Sequence, residues 1–223
     1  MKEFRQSQTG GCCSAMKLSA HFASTRRSRQ IGFSLVELIL SLVVLLVITT
    51  LAVPVVVRSL QTYQLNSTAS QLAGMLKFTK FGAIRQNTQV SCQIMQQGPN
   101  WLVWVDLNGN GSPDPTEPQT IVTGSFTLLP AGSVPSTSSI SSTLGSASSY
   151  GWTVLSGSNG SVMYDQRGVV VLYAGGPTST TIYALYLGNP SDPSAGYRAI
   201  LTLPSGAVQV WTASAAGNWQ RVS

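Results

Sequence analysis

The feature that most constrains this chain is an uninterrupted apolar run near its N-terminus. Residues Leu38–Val57 read LILSLVVLLVITTLAVPVVV, and none of these 20 residues is charged. At about 1.5 Å of rise per residue, a helix of this length spans the roughly 30 Å hydrocarbon core of a bilayer. Because a secretory signal peptide has a shorter apolar core of about 7–15 residues, the run favours a membrane-spanning helix. A plain signal anchor has the same hydropathy and is the alternative.

The charges that flank this apolar run predict its orientation. Arg26, Arg27 and Arg29 precede the run, and Arg58 follows it. Positive charge accumulates on the cytoplasmic side of membrane-spanning helices, so we expect the N-terminus to stay in the cytoplasm. The predicted arrangement is a single crossing of the cytoplasmic membrane, with the rest of the chain exported.

The net charge of +6 does not indicate a nucleic-acid-binding surface, because it lies almost entirely in the N-terminal segment. Residues 1–32 hold six Lys or Arg and one Asp or Glu, a balance of +5, whereas residues 33–223 hold seven and six, a balance of +1. Binding to nucleic acid requires a basic footprint for the phosphates, which the exported part lacks. We therefore expect no nucleic-acid partner.

The sole histidine and two of the three cysteines also precede the apolar run. These residues are His21, Cys12 and Cys13, and only Cys92 lies beyond it. This distribution excludes a Ser-His-Asp triad, a Cys-His pair and a histidine-ligated zinc site from the exported part, and we expect the chain not to be an enzyme. Cys92 is interpreted as a small buried hydrophobe on a strand, with an intermolecular disulfide as the alternative.

A glycine and a glutamate stand in a specific pattern where the apolar run begins. In Gly32-Phe33-Ser34-Leu35-Val36-Glu37, the glycine ends the basic segment and the glutamate follows five residues later. An unpaired carboxylate in lipid costs several kilocalories per mole, so Glu37 is a functional candidate, with snorkelling to the headgroups as the alternative. The pattern resembles the type IV prepilin motif: glycine, phenylalanine, three residues, glutamate and a long apolar stretch.

The resemblance implies proteolytic processing followed by assembly. In this family a membrane-embedded aspartyl prepilin peptidase, acting on the cytoplasmic side, would cut between Gly32 and Phe33 and methylate the new amine of Phe33. Cleavage removes 32 of the 223 residues and leaves 191. The family's glutamate, here Glu37, is expected to pair with that amine on a neighbouring subunit, and a desolvated pair gains more than a surface pair. Met16 is an alternative start to Met1.

Periodicity beyond the apolar run predicts one long helix followed by a strand-rich head. Apolar or small residues recur at spacings of three and four, as on one face of a helix, at Leu65, Ala69, Leu72, Leu76, Thr79 and Ala83. Pro54 is expected to kink the helix. The predicted division is a leader at 1–32, a membrane-spanning half-helix at 33–57, an amphipathic half-helix at 58–87 and a head at 88–223. A Ser/Thr-rich stretch at 133–149 is expected to be a flexible surface loop.

Alternation with a period of two predicts many short strands after residue 88. Val90–Ile94 and Trp101–Val105 are the first two, and the others are expected at Ile121–Leu129, Trp152–Leu155, Val162–Tyr164, Val169–Tyr173, Thr181–Leu187, Arg198–Leu203, Ala207–Thr212 and Trp219–Val222. A long helix followed by such strands predicts an α+β fold, with the helix packed on a mainly antiparallel β-sandwich head. The tryptophans and tyrosines are interpreted as core or rim residues, with carbohydrate binding as the alternative.

Three stretches of the head, taken in order, resemble the GspH/FimT family of minor pilins and pseudopilins. They are Trp101–Gly111, Val162–Gly168 and Tyr197–Gly206. The resemblance implies a structural subunit near the filament tip of a type IV pilus or a type II secretion pseudopilus, with other pilin or pseudopilin subunits as partners. A surface binding subunit for adhesion or DNA uptake is the alternative. The family's DNA-binding motif of Gly-Arg-any-Arg falls on Gly206-Ala207-Val208-Gln209, where both arginines are missing.

The stretch Asp106–Glu117 matches the spacing of an EF-hand calcium loop. Oxygen-bearing residues fall at positions one, three, five, nine and twelve, with Gly111 at position six. The predicted calcium ligands are Asp106, Asn108, Asn110, the carbonyl of Ser112, Asp114 and Glu117. A polar hairpin turn is the alternative, because Asn-Gly pairs and prolines suit a turn equally well. No other cofactor is expected.

Overall fold

The computed structural model of the chain describes residues 32–145, 151–155 and 159–222. Contacts divide the described chain into two units, with the boundary between Leu45 and Leu46. Helix α1, Leu35–Gln86, contributes residues to both units. The predicted leader up to residue 31, with His21, Cys12, Cys13 and Met16, lies outside the described residues.

The second unit holds eleven described strands and a short second helix. The strands are β1 Val90–Gln97, β2 Asn100–Asp106, β3 Gln119–Val122, β4 Thr127–Leu129, β5 Gly151–Val154, β6 Asn159–Tyr164, β7 Val170–Val171, β8 Thr181–Gly188, β9 Tyr197–Thr202, β10 Val208–Ser214 and β11 Gly217–Arg221. Helix α2 is Ser138–Leu144, and single 3₁₀ turns lie at Ala131–Ser133 and Pro193–Ala195.

The strands form two sheets. The first has the order β3-β2-β1-β6-β7 and the second has the order β11-β10-β9-β8-β4, with β5 pairing alongside β8. The pairing of β5 with β8 is parallel, and the other pairings between described strands are antiparallel. The predicted α+β fold, one long helix with a mainly antiparallel head, is confirmed.

The second half of α1 packs in the core of the head. All six residues of the predicted face are buried, together with Ala73. Except for Thr79, they belong to one core cluster with apolar side chains of both sheets, among them Val90, Ile94, Leu185 and Ile200. One face of the helix therefore packs against apolar side chains of both sheets, and this is the face that the spacing of three and four predicts.

Helix α1 ends at Gln86 in a Schellman motif. The Thr88 N–H donates to the Ala83 carbonyl at 3.2 Å, and the Asn87 N–H donates to the Ile84 carbonyl at 3.3 Å. Asn87 has a φ of 51°, the left-handed conformation that asparagine tolerates better than most residues. These bonds satisfy two carbonyls of the last turn and direct the chain into β1.

Part of the stretch expected to be a flexible surface loop is instead the helix α2. Its Ile140 is fully buried in a second core cluster, on the other face of the second sheet, with Tyr186, Trp211 and Trp219. The Ser139 hydroxyl accepts a hydrogen bond from the Trp219 backbone N–H at 3.1 Å. The expectation was wrong for this segment because its single buried isoleucine contacts residues that are distant in sequence. Residues 146–149 of the stretch lie outside the described residues.

The predicted strand Ile121–Leu129 is two strands that belong to different sheets. β3 pairs with β2 in the first sheet, and β4 pairs with β8 in the second. Gly124, between them, has a φ of 89° and allows the chain to turn from one sheet to the other. The predicted strand Val169–Tyr173 shortens to Val170–Val171.

Buried side chains confirm the interpretation of the cysteine and of most tryptophans as core residues. Cys92 on β1 is fully buried, and Trp101, Trp104, Trp211 and Trp219 are each less than 5% exposed. Burial raises the pKa of the Cys92 thiol to about 12, against a smaller opposing effect of a hydrogen bond with Thr79. Because Cys92 is fully buried, a cysteine of another chain cannot reach its sulfur while the head is folded.

Candidate functional site

The predicted cleavage segment lies immediately before α1 and is open to solvent. Gly32, Phe33 and Ser34 precede the helix, and the side chain of Phe33 is 81% exposed. The Leu38 N–H donates to the Ser34 carbonyl at 3.1 Å, which begins the helical hydrogen bonding. A Cβ placed on Gly32 would meet no atom within 4 Å. The described part of the chain therefore imposes no steric need for glycine at this position.

Glu37 lies in the first turn of α1 and is exposed. A carboxylate there is favoured by the partial positive charge of the helix N-terminus. Within residues 32–145, 151–155 and 159–222, the one ion pair joins Arg167 and Asp165, so Glu37 has no cationic partner in this part of the chain. A cationic partner for the Glu37 carboxylate would have to come from outside these residues.

The apolar segment of α1 that follows Glu37 is uncovered. Among the described residues, α1 is the one helix that is long and apolar enough to cross a membrane, and none of its most apolar window is buried by the chain. Large aliphatic side chains such as Leu40, Leu46 and Leu51 are each more than 60% exposed. This surface requires an apolar environment that the described part of the chain does not provide.

The predicted calcium loop is closed in the structure by backbone N–H groups. The Asp106 carboxylate is 4% exposed and accepts hydrogen bonds from the N–H groups of Gly109, Asn110 and Gly111 at 2.7, 3.1 and 3.0 Å. Glu117 is also buried, and its Oε1 accepts from the Leu107 N–H at 2.8 Å. The two carboxylates thus accept the hydrogen bonds of the backbone N–H groups in one tight turn.

The other predicted ligands bond mainly with one another. The side-chain amides of Asn108 and Asn110 donate to Asp114 Oδ2 at 2.7 and 2.9 Å. The amide oxygen of Asn110 accepts from the Ser112 N–H at 2.8 Å. The structure thus brings the predicted ligand residues together in one loop, but their oxygens face N–H donors rather than a common centre.

This arrangement does not fit a calcium ion without rearrangement. Among the described residues, no three His, Cys, Asp or Glu side chains form a group that could hold a metal ion. An ion would have to displace N–H donors from Asp106 and Glu117, because calcium and N–H groups compete for the same oxygens. Calcium binding by this loop stays a prediction.

The second and third head motifs meet at their turns. The Val170 N–H donates to the Pro204 carbonyl at 3.0 Å, and a Cβ on Gly206, whose φ is 73°, would collide with the Gly168 carbonyl oxygen. Asp165 supports the first of these turns by accepting hydrogen bonds from the N–H groups of Arg167 and Val169. These contacts make Gly206 a requirement of the fold, a constraint that sequence reasoning missed.

The stretch that aligns with the family's DNA-binding motif presents no cation. Gln209, in place of the second arginine, is 9% exposed, and its amide oxygen accepts a hydrogen bond from the Trp211 indole N–H at 3.1 Å. Ala207, in place of the first arginine, has no polar side chain. This strand therefore lacks the charged contacts that phosphate binding requires.

Arg198 is a second residue that sequence reasoning missed. It lies on β9 and is 6% exposed, yet it has no carboxylate within salt-bridge distance among the described residues. The signal available in the sequence is an arginine inside a strand whose other residues are mostly apolar. Charged residues are rarely buried without a partner, so the position is unusual.

Two sequence profiles match this chain. The profile of the type II transport protein GspH matches residues 68–219, and the profile of the prokaryotic N-terminal methylation motif matches residues 27–53, which include Gly32, Phe33 and Glu37. No curated protein sequence matches the chain significantly.

Crystal structures of the type IV minor pilin FimU from Pseudomonas aeruginosa strain PAO1 are similar to the chain. The form in space group P21 has a TM-score of 0.43 and 13% identity over 72% of this chain and 94% of that one. The form in space group P65 has a TM-score of 0.41 and 14% identity over 71% and 98%. Because the GspH profile matches residues 68–219, which is more than half of the chain, the chain belongs to the GspH family of minor pilins and pseudopilins, and it carries the N-terminal methylation motif.

Proposed function

We propose that this chain is cut between Gly32 and Phe33 by a prepilin peptidase, N-methylated at Phe33, and assembled as a structural subunit near the tip of a filament. The filament is a type IV pilus or a type II secretion pseudopilus. The observation that carries the proposal is the uncovered apolar segment with the unpartnered Glu37 at its start. The matched methylation motif and GspH family support it.

The segment around the proposed cut suits a protease. Gly32 and Phe33 are exposed and precede the helix, so the chain there is accessible to a protease. Nothing within the described residues requires Gly32 to be glycine. We attribute the glycine to the peptidase, whose site a larger side chain would crowd. A new amine on Phe33 would then start the mature chain, with Ser34, Leu35 and Val36 between it and Glu37.

The proposed role of Glu37 is to pair with the Phe33 amine of a neighbouring subunit. Both charges would lie at the edge of an apolar layer, where an unpaired charge is costly and a pair is favourable. Such a pair fixes how far one helix is displaced along the next. Before assembly, the cytoplasmic membrane would cover the apolar segment, with the head on the periplasmic side. The proposal needs no catalysis by the chain.

The test is to replace Glu37 by Gln in cells that make the whole filament system. We expect Glu37→Gln to leave cleavage unchanged but to lower the amount of this subunit in sheared filaments by at least about tenfold, because one charge of a desolvated pair is lost. The matched control is Asp192→Asn, which removes an exposed carboxylate of the head. Normal incorporation of Glu37→Gln would refute the pairing while leaving cleavage as a separate result.

A further inference from the structure

Three side chains form a row across the second sheet on one face. Thr212 of β10 lies opposite Arg198 of β9 and opposite Gln220 of β11, so the three project side by side. All three line a depression of about 430 Å³ whose wall also includes Ser194, Ser214 and Asn218. We name it the Arg198 pocket. Apart from the guanidinium, its polar groups are hydroxyls and carboxamides.

Arg198 is buried with most of its hydrogen-bonding capacity unused. Its Nε donates to Asn66 Oδ1 at 2.6 Å, and its Nη1 donates to the Tyr197 carbonyl at 2.8 Å. A guanidinium carries five N–H donors, so three have no acceptor among the described residues. Burial lowers the pKa of Arg198. The nitrogens of Arg198 are not among the buried side-chain atoms that lack a hydrogen-bond partner in the described residues, so the unused donors open onto the depression. A cation that is largely desolvated in this way favours an anion at its open side.

The acidic residue nearest in sequence does not serve as this anion. Asp192 is exposed, and its carboxylate accepts from the Ser194 N–H at 3.0 Å. Hydrogen bonds from Ser194, then from Gln61, and the charge of Arg58 lower the pKa of Asp192. Among the described residues Asp192 forms no ion pair with Arg198, so its carboxylate does not occupy the guanidinium.

The wall of the pocket is held by a close backbone approach. Gly196 has a φ of 76°, and a Cβ there would collide with the Ala213 carbonyl oxygen. The 3₁₀ turn Pro193–Ala195 is thereby held against β10, with Ser194 facing the same space as Thr212. Because this wall is already ordered, less conformational entropy of the protein is lost when a ligand binds.

We propose that the Arg198 pocket binds a polyhydroxylated carboxylate of the sugar-acid class, with the carboxylate on Arg198. The planar guanidinium matches a carboxylate through paired N–H donors. The hydroxyls of Ser194 and Thr212 and the carboxamides of Asn218 and Gln220 provide both donors and acceptors for the sugar hydroxyls. The Ser214 hydroxyl donates to the Gly217 carbonyl at 3.0 Å and adds an acceptor. The volume lies within the range of small-molecule sites. The class includes a free sugar acid and a sugar-acid residue of an acidic polysaccharide.

The test measures binding to the full chain in detergent micelles. Glucuronate, glucose and acetate are titrated at constant ionic strength, with the melting temperature and calorimetric heat as readouts, and oligogalacturonate is titrated in parallel. We expect glucuronate to bind and raise the melting temperature, and glucose to bind at least about tenfold more weakly because the carboxylate contact is missing. Stronger binding of oligogalacturonate would identify a polysaccharide as the source, and equal binding per residue would identify the free sugar acid.

Variants separate recognition from structural support. Arg198→Met should weaken glucuronate binding at least about tenfold, and Arg198→Lys should have a smaller effect because it keeps the charge without the planar fork. Thr212→Val tests the same pocket with Arg198 intact if Arg198→Met does not fold. The matched control is Arg221→Met, an exposed cation on β11, which should bind normally. Absence of glucuronate binding, equal binding of glucose, or unchanged binding by both Arg198→Met and Thr212→Val would overturn the proposal.

Discussion

Individual carboxylates in this head act mainly on nearby backbone N–H groups. Asp106 closes the loop after β2 with three such bonds, and Asp165 supports the turn after β6 with two. Both side chains are nearly buried, so removing an acceptor leaves N–H groups without water to replace it. These residues are therefore structural supports for the turns that follow β2 and β6.

Asp106→Asn should destabilise the head by about 1–3 kcal/mol. In the wild type both carboxylate oxygens accept from backbone N–H groups, whereas in the variant an amide NH₂ replaces one oxygen and leaves an N–H without an acceptor. Urea unfolding in detergent, followed by tryptophan fluorescence, measures this loss. Asp114→Asn is the control and should cost less, since Asp114 accepts mainly from side-chain amides in a less buried place. Equal losses for the two variants would contradict the backbone role assigned to Asp106.

The same samples test calcium. If the loop binds the ion, adding calcium after chelation raises the melting temperature of the wild-type chain, and the rise disappears in Asp106→Asn. If calcium has no effect on the wild type, the EF-hand interpretation of Asp106–Glu117 is wrong, whereas the N–H bonding account of Asp106 is unaffected.

The Asp165 carboxylate should make stability depend on pH. Burial raises its pKa, but hydrogen bonds from Arg167 and Val169 and the Arg167 charge outweigh burial and hold the pKa below its usual value. Stability from this group is therefore fully present above the unfolded pKa of about 4 and is lost as the pH falls through the folded pKa. The melting temperature of Asp165→Asn should lie below that of the wild type at pH 7, and the gap should narrow below about pH 4.

Arg167→Gln serves as the control for this pH dependence. The Arg167 side chain is 69% exposed, so its ion pair with Asp165 contributes little to stability, about 0–1 kcal/mol. We expect a smaller loss at pH 7 than for Asp165→Asn. A gap between Asp165→Asn and the wild type that stays constant from pH 7 to pH 3 would show that ionisation of Asp165 is irrelevant.

At the level of elements, the sequence was informative wherever the pattern is local. The buried face of α1 could be predicted because its spacing of three and four is a property of one helix. The division of Ile121–Leu129 between two sheets could not, since it depends on which distant strands pair with each half. Arg198 was missed for a similar reason: its burial results from the row on neighbouring strands and from Asn66 on α1.

Helix α2 could not be predicted from the sequence either, because tertiary contacts decide its conformation. Serine and threonine have low intrinsic helix propensity, so Ser138–Leu144 gives no local helical signal. Its packing through Ile140 and its bond to the Trp219 N–H hold it against the second sheet. Tertiary contacts of this kind decide the conformation of a segment whose own preference is weak.

Ile140→Ala should therefore destabilise the head by about 2–5 kcal/mol, the usual cost of truncating a buried aliphatic side chain. Thermal unfolding monitored by the near-ultraviolet circular dichroism of the tryptophans measures it, because Ile140 shares a cluster with Trp211 and Trp219. Ser142→Ala, an exposed change on the same helix, is expected to stay within about 0.5 kcal/mol. A similar effect of both variants would mean that α2 is not docked.

At the level of the whole molecule, an uncovered apolar helix segment belongs to the same chain as a head with a complete core. The fold class and the family could be predicted because both depend on features of the sequence itself: the motif at Gly32–Glu37, the apolar run and the order of head motifs. The site geometry could not, because Asp106, Gly206 and Arg198 acquire their surroundings only when separate strands meet.

The most direct test of the account is the intact mass and N-terminal chemistry of the chain isolated from membranes, with and without a co-expressed prepilin peptidase. The account predicts a mature chain that begins at N-methylated Phe33, formed only when the peptidase is present and abolished by a bulky substitution at Gly32. A chain that stays uncleaved with the peptidase, or that is cut beyond Val57, would contradict processing at this site.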